Sequence, residues 1–501
     1  MTSPTPLPGR WEAVTASRPA ERRGPTSSET PRSFDPWRIV GGLVLLTVIV
    51  LWASAFGWAV RPMTSAVVVL PVMVLVGIGL CRRAGTSDDG VYLSGLLFTG
   101  LALRLVGLWV RYRDAADALE YHREGSRLAD SFRSMDFVVD VGRPIPGTGA
   151  VRVASGLVHA ASFDDLLTSF AVFTLAGFIG CLLFLRAVRV ALPDADHRRY
   201  ALLVMLWPSL WFWPSSLGKE ALMLLGIGAA SLGVARLLDH DAARGMAWLA
   251  TGLVVMALVR PHVGLLVVAA LAMALLLRTG GEGTGRTATR ILAAGAVLLG
   301  GALLSDATAD RFQVDTLGTE QIDDTLAYTA SQTSTGTATF DPVQVTSPLQ
   351  FPQAVVTVLF RPLPGESRSA EGLATSLEGV GLALLLLGSL PRLVSAARRL
   401  RSDPYLLYAL SFVLLFIYAF SVIGNFGILA RQRTQVLPLL FVALAVPAVA
   451  RAGRWKDRAA ERRRGSDQLA RRHDRPATSV HDGATESGPS RRVIRTTSRR
   501  R

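Results

Sequence analysis

Trp207-Pro208-Ser209-Leu210-Trp211-Phe212-Trp213-Pro214-Ser215-Ser216-Leu217-Gly218-Lys219-Glu220 lies between two apolar runs and ends in an adjacent cation and anion. Proline removes a backbone donor and interrupts a helix, so the stretch predicts a hinge between two helices. Charges at the edge of hydrocarbon are costly unless they are paired or face water or a ligand. Trp and terminal charges also mark ordinary membrane interfaces. Lys219-Glu220 therefore becomes a site only if other connections deliver matching chemistry to the same side.

Working outward, apolar runs recur from residue 39 to residue 450 in a chain of 501 residues that is 50% hydrophobic and 18% charged, with a mean hydropathy of +0.37. About 20 apolar residues span a bilayer as a helix. The sequence thus predicts an all-α, polytopic transmembrane protein with about 12 spans. The expected spans are Ile39–Val60, 62–81, Val91–Val110, 166–188, 200–216, 219–237, 245–259, 262–278, 288–305, 371–394, 404–423 and 434–450. Residues 1–38, rich in Pro, Ser, Thr and Arg, read as a disordered cytoplasmic leader, and 451–501 as a disordered polybasic cytoplasmic tail.

The formal net charge of +15 does not indicate nucleic-acid binding, because residues 451–501 carry 16 Arg and Lys against 6 Asp and Glu. A basic tail next to a final span suits the anionic lipids of the cytoplasmic leaflet. Cys81 and Cys181 both lie in apolar runs, which argues against a disulfide framework. No dinucleotide fingerprint, P-loop, HExxH or nucleophile-elbow motif is present.

Arginine placement sets the orientation. With both termini cytoplasmic, twelve spans put Arg82, Arg83, Arg186, Arg189, Arg198, Arg199, Arg286, Arg398, Arg399 and Arg401 inside, as the positive-inside rule requires. Two long segments, about 111–165 and 306–365, then fall outside. Residues 306–360 of the second carry seven acidic residues against Arg311 alone. A helix through 114–130 would align Asp114, Asp117 and Tyr121 on one face. The same topology sends Asp114, Asp117, Tyr121 and His122, then Lys219 and Glu220, Arg260 and His262, Arg361 and Glu366, and Arg431 and Arg433 to the external boundary. Arg and Lys there suit a phosphate, and neighbouring carboxylates suit proton abstraction from a hydroxyl. His122, His159 and His262 are too scattered in sequence to indicate a metal, and none is assigned.

The order of these motifs resembles a known class. An acid precedes Tyr121-His122, followed by Pro208-Ser209-x-x-x-Trp213-Pro214-Ser215-Ser216-x-Gly218-Lys219-Glu220, Arg260-Pro261-His262 and Phe360-Arg361-Pro362-x-Pro364-x-Glu366. Asn425-Phe426-Gly427 then precedes Ala430-Arg431-Gln432-Arg433. Across most of 91–450 this is similar to multispanning bacterial proteins of exopolysaccharide and cell-envelope clusters, the broad GT-C class of polyprenyl-phosphate-sugar glycosyltransferases. It is more distantly similar to O-antigen-type polymerases. The resemblance implies sugar transfer from a lipid-phosphate donor to a glycan or lipid-linked acceptor on the extracytoplasmic face. It implies Asp114 or Asp117 as catalytic base and Lys219, Arg260, Arg361, Arg431 and Arg433 as donor-phosphate ligands. Tyr121, His122, Glu220, His262, Glu366 and Asn425 would support them. The acids read Asp114-x-x-Asp117 rather than Asp-x-Asp, and no cofactor is indicated. Polymerisation of lipid-linked repeat units, and non-enzymatic transport of a lipid-linked saccharide, are the alternatives.

Overall fold

The computed structural model describes residues 64–85, 93–113, 116–162, 164–239, 241–277, 338–367 and 369–448, with isolated positions 295 and 301. The expected leader, the spans at 39–60 and 288–305, most of the acidic segment, the polybasic tail and Asp114 lie outside the described residues, the isolated positions apart.

The described residues are helical, with one isolated β-bridge between Thr339 and Asn425. In chain order the helices are α1 Thr64–Gly85, α2 Ser94–Arg113, α3 Ala116–Arg133, α4 Thr148–Ala161, α5 Leu166–Ala191 and α6 His197–Leu206. There follow α7 Pro208–Phe212, α8 Lys219–Leu238, α9 Ala242–Val259, α10 Pro261–Leu276 and α11 Phe351–Phe360. The last five are α12 Ala370–Gly388, α13 Leu390–Arg399, α14 Pro404–Phe420, α15 Phe426–Arg433 and α16 Leu437–Ala445.

Six described helices (α1, α2, α5, α8, α9 and α12) are long and apolar enough to cross a membrane. The number rises to eight if each of the bent pairs α13/α14 and α15/α16 is one span. Those pairs bend by 114° and 49°, respectively. The expected span at 200–216 is broken into α6 and α7 at Trp207-Pro208, where proline takes the first helical position of α7. In the 111–165 segment, expected on the outside, the described residues include the helices α3 and α4. The apolar helix α11 falls within the 306–365 segment, which the twelve-span expectation leaves outside the membrane.

Packing separates central from peripheral helices. In α8, 78% of the span is buried inside the protein and in α5 72%, against 17% in α12. Small residues let the central helices touch at backbone distance, as membrane helices do where lipid supplies no hydrophobic drive between them. A Cβ on Gly180 of α5 would lie 2.5 Å from Leu224 O of α8, and one on Gly252 of α9 would lie 2.5 Å from Gly226 O of α8. At the periphery, Leu373, Leu377, Val380, Leu384 and Leu387 of α12 are exposed at intervals of three and four residues. That spacing makes one apolar stripe along a helix, of the kind that faces hydrocarbon in a membrane-spanning helix.

Local sequence ends these helices. Asp165 accepts from Leu167 N, Asp196 from Arg199 N, Ser369 from Gly372 N and Asn425 from Ile428 N, which satisfies first-turn amides. Arg104, fully buried in α2, donates to Cys181 Sγ at 2.8 Å, Leu210 O at 3.1 Å and Gly100 O at 3.3 Å. The structure also gathers one set of basic connections. Arg392 meets Asp196 at 3.0 Å, Arg399 meets Asp194 at 2.6 Å, Asp196 N donates to Ala445 O, and Arg189 donates to Ala84 O. The other ends of these helices carry the candidate site.

Candidate functional site

The cleft forms where α2, α8, α9 and α12 present their ends to α3 and α15, and it has a volume of about 290 Å³. Its construction begins with small residues. A Cβ at Gly107 would lie 2.9 Å from Trp211 O, so α2 runs directly against the aromatic hinge. One turn later Arg111 lies over Phe212 and Trp213, with its guanidinium carbon 5.3 and 5.0 Å from the ring centroids. Arg431 approaches Trp213 from α15 at 5.2 Å. A desolvated indole holding two guanidiniums contributes about 0.5–2 kcal/mol per contact and fixes their spacing. The hinge thus positions cations as well as turning the chain.

Lys219 and Glu220 open α8 immediately after that turn. Glu220 Oε1 stands 3.3 Å from Arg260 Nη2, and both side chains are nearly enclosed, at 13% and 12% exposure. Arg260 occupies the sharp connection between α9 and α10, where Pro261 starts the next helix. Lys219 Nζ donates to Thr148 Oγ1 at 3.0 Å, tying α8 to the start of α4. Asp117 reaches from α3 to Arg431 Nη1 at 2.9 Å and keeps 68% of its side chain exposed. Tyr121 lies one turn further along α3 and also lines the cleft. Burial, followed by the nearby charges of Glu220, Asp117 and Glu120, pushes its phenol up to about 12. Tyr121 therefore remains a neutral hydroxyl at physiological pH.

Four cations (Arg111, Lys219, Arg260 and Arg431) and three carboxylates (Asp117, Glu220 and Glu371) line this space. Arg260 Nη1 and Arg431 Nε are buried without a hydrogen-bond partner. A buried guanidinium nitrogen left without an acceptor costs free energy. The four cations suit an anionic ligand, and phosphate matches the guanidinium fork.

The structure brings together Asp117, Tyr121, Lys219, Glu220, Arg260 and Arg431 from the sequence-predicted set. The other expected residues stand elsewhere. Arg361 and Glu366 pair with each other at 2.7 Å, and Arg361 lies 4.2 Å from the Phe340 ring centroid. Glu366 also accepts from Leu363 N at 2.6 Å. Its slight burial works against ionisation, but the hydrogen bonds from Arg361 and Leu363 N outweigh it and hold its carboxyl below the ordinary value. Arg433 is buried and donates to the carbonyls of Val358 and Arg361, closing α15 onto the end of α11. His262 packs near Phe420, His122 contacts His159, and Asn425 caps α15. None of these lines the cleft.

Sequence reading missed Arg111, Trp213 and Glu371 as cleft residues. Arg111 has the signature of an ordinary span-terminating cation, and Glu371 that of a first-turn helix acid. Only their spatial approach, 3.9 Å between Arg111 Nη1 and Glu371 Oε1, distinguishes them. No family model, curated protein or solved structure matches this chain.

Proposed function

We propose that this protein is a membrane glycosyltransferase that moves a sugar from a lipid-phosphate donor to a glycan or lipid-linked acceptor on the extracytoplasmic face. The observation that carries this reading is the convergence of four cations on a cleft at the ends of membrane-length helices, with Arg260 Nη1 and Arg431 Nε buried and unpartnered. The basic connections at the opposite ends support a cytoplasmic placement for that other face.

In this reading Arg111, Lys219, Arg260 and Arg431 hold the donor phosphate and offset the charge it gains as the sugar departs. A carboxylate, Asp117 among the described residues, takes the acceptor hydroxyl proton. The acceptor oxygen forms the new bond to the anomeric carbon as the carbon–phosphate-oxygen bond breaks. The electron pair leaves on the phosphate, and direct displacement inverts the anomeric centre. Glu220 orients Arg260 and limits the net positive charge of the cleft.

The test is transfer from a short-chain polyprenyl-phosphate sugar by the purified protein and its Asp117→Asn and Arg260→Ala variants. Loss of a general base lowers turnover by about 10²–10⁴-fold. Asp117→Asn should do so while retaining donor binding, and Arg260→Ala should weaken both. The surplus of cations over carboxylates also favours a second reading, polymerisation between lipid-diphosphate-linked units. Retained turnover in Asp117→Asn beside an inactive Arg260→Ala would move that reading ahead. Donor binding without formation of any sugar bond would overturn both in favour of transport.

A further inference from the structure

The strongest arrangement outside the cleft joins two histidines that are 37 residues apart in sequence. His122 lies on α3, His159 near the end of α4, and Asp164 in the turn that leads into α5. Their potential ligand atoms all lie within 4.8 Å of one another. His122 Nδ1 is 3.0 Å from His159 Nε2, His122 Nδ1 is 3.8 Å from Asp164 Oδ1, and His159 Nδ1 is 3.6 Å from the same oxygen.

From this geometry we infer a divalent metal site, best suited to zinc, at the junction of α3, α4 and the start of α5. Zinc sits about 2.0–2.1 Å from imidazole nitrogen and carboxylate oxygen, so tetrahedral ligand atoms stand about 3.3–3.4 Å apart. Taking Nε2 as the His159 ligand, its 3.0 Å from His122 Nδ1 and the 3.8 Å from His122 Nδ1 to Asp164 Oδ1 bracket that value. Two imidazoles and one carboxylate are also a donor set that zinc favours over calcium or magnesium, which take mainly oxygen ligands. Ser126 Oγ donates to Asp164 Oδ1 at 2.5 Å, an outer contact of the kind that orients a metal ligand. Asp164 is 51% exposed and His159 fully buried, so one side of the group is open to a hydrated ion and to a water as fourth ligand.

The site would clip the outer helical hairpin to membrane helix α5. His122 directly follows Tyr121 on α3, about 100° further around the helix. An ion behind that helix would hold Tyr121 and Asp117 toward the cleft, a positioning role. This assignment stands independently of sugar transfer.

The test uses the full-length protein, purified without a polyhistidine tag, stripped with chelator and titrated with zinc chloride. His473 and His481 are replaced by Ala to remove ion binding by the tail. Bound zinc is counted by elemental analysis after desalting. Cobalt(II) absorption checks for a four-coordinate nitrogen and oxygen environment. The expected result is about one ion per chain, with affinity lowered about tenfold or more in His122→Ala and in Asp164→Asn. Asp164→Asn alters the most exposed member and keeps its size, so it provides a folded variant should a histidine variant fail to accumulate. Unchanged zinc binding in Asp164→Asn, or no binding by the parent at tens of micromolar zinc, would overturn the assignment. The two rings would then be an imidazole pair sharing a proton.

Discussion

Replacing Glu220 by Gln should tighten the binding of a lipid phosphate, although the residue lies inside the candidate site. Glu220 holds Arg260 at 3.3 Å in an enclosed part of the cleft. It therefore competes with any incoming anion for that guanidinium. At an effective dielectric constant of 20, two unit charges at this distance attract by about 5 kcal/mol, a gross upper bound. Most of that is offset by desolvation, and hydrogen bonds to charged groups contribute about 1.5–3 kcal/mol net. Glutamine retains the size of Glu220 and a carbonyl acceptor but releases the charge. At 1.36 kcal/mol per factor of ten, the expected tightening is about tenfold to 150-fold. The assay is equilibrium binding of a radiolabelled short-chain polyprenyl phosphate to nanodisc-embedded protein at neutral pH. A weaker or unchanged dissociation constant in a monodisperse Glu220→Gln protein would refute the competition argument. The cleft would then need its carboxylate to shape the cations rather than to restrain them.

Gly252→Ala should lower stability by about 1–3 kcal/mol, the usual cost of overpacking, because its Cβ meets Gly226 O and Ala230 N at 2.5 Å. Gly381→Ala, with nothing within 4 Å, is the matched control; equal thermal unfolding midpoints in the two variants would contradict the close α8–α9 packing. The Arg361–Glu366 turn should open on acidification. Because the folded carboxyl is held below its ordinary value, its contribution is present above about pH 4.3 and is lost as pH falls through the lower folded value. Protection of the Leu363 and Glu366 amides, corrected for intrinsic exchange, should therefore fall below about pH 4.3 in the parent, and Glu366→Gln should remove that step.

Much of the helical plan is legible in the sequence because a bilayer demands long apolar runs and tolerates few charges. The Trp207–Glu220 break is equally legible, since Pro208 and Pro214 leave little choice about where the helix stops. The cleft is legible only in part. Lys219-Glu220 and Arg260-Pro261 stand out because adjacent charges and prolines interrupt apolar sequence. Arg361 and Arg433 have the same local signature, yet one serves the Glu366 turn and the other satisfies main-chain carbonyls. Local sequence states where a guanidinium enters the structure, but long-range packing decides what it meets. His122 and His159 illustrate the converse, because two helices must fold back on each other before the rings come within 3.0 Å.

The contact between Ser209 and Glu378 adds a constraint of time. Ser209 donates from its backbone amide and its hydroxyl to Glu378 Oε1, at 3.1 and 2.6 Å, across 169 residues of chain. At about 5–20 residues per second, the ribosome makes that acceptor roughly 8–35 s after the donor. Arg392 likewise reaches Asp196 only after 196 further residues. Early in biosynthesis, the broken helix at Pro208 thus awaits a partner that does not yet exist. A chain stopped before residue 378 would leave the Ser209 amide and hydroxyl without their acceptor.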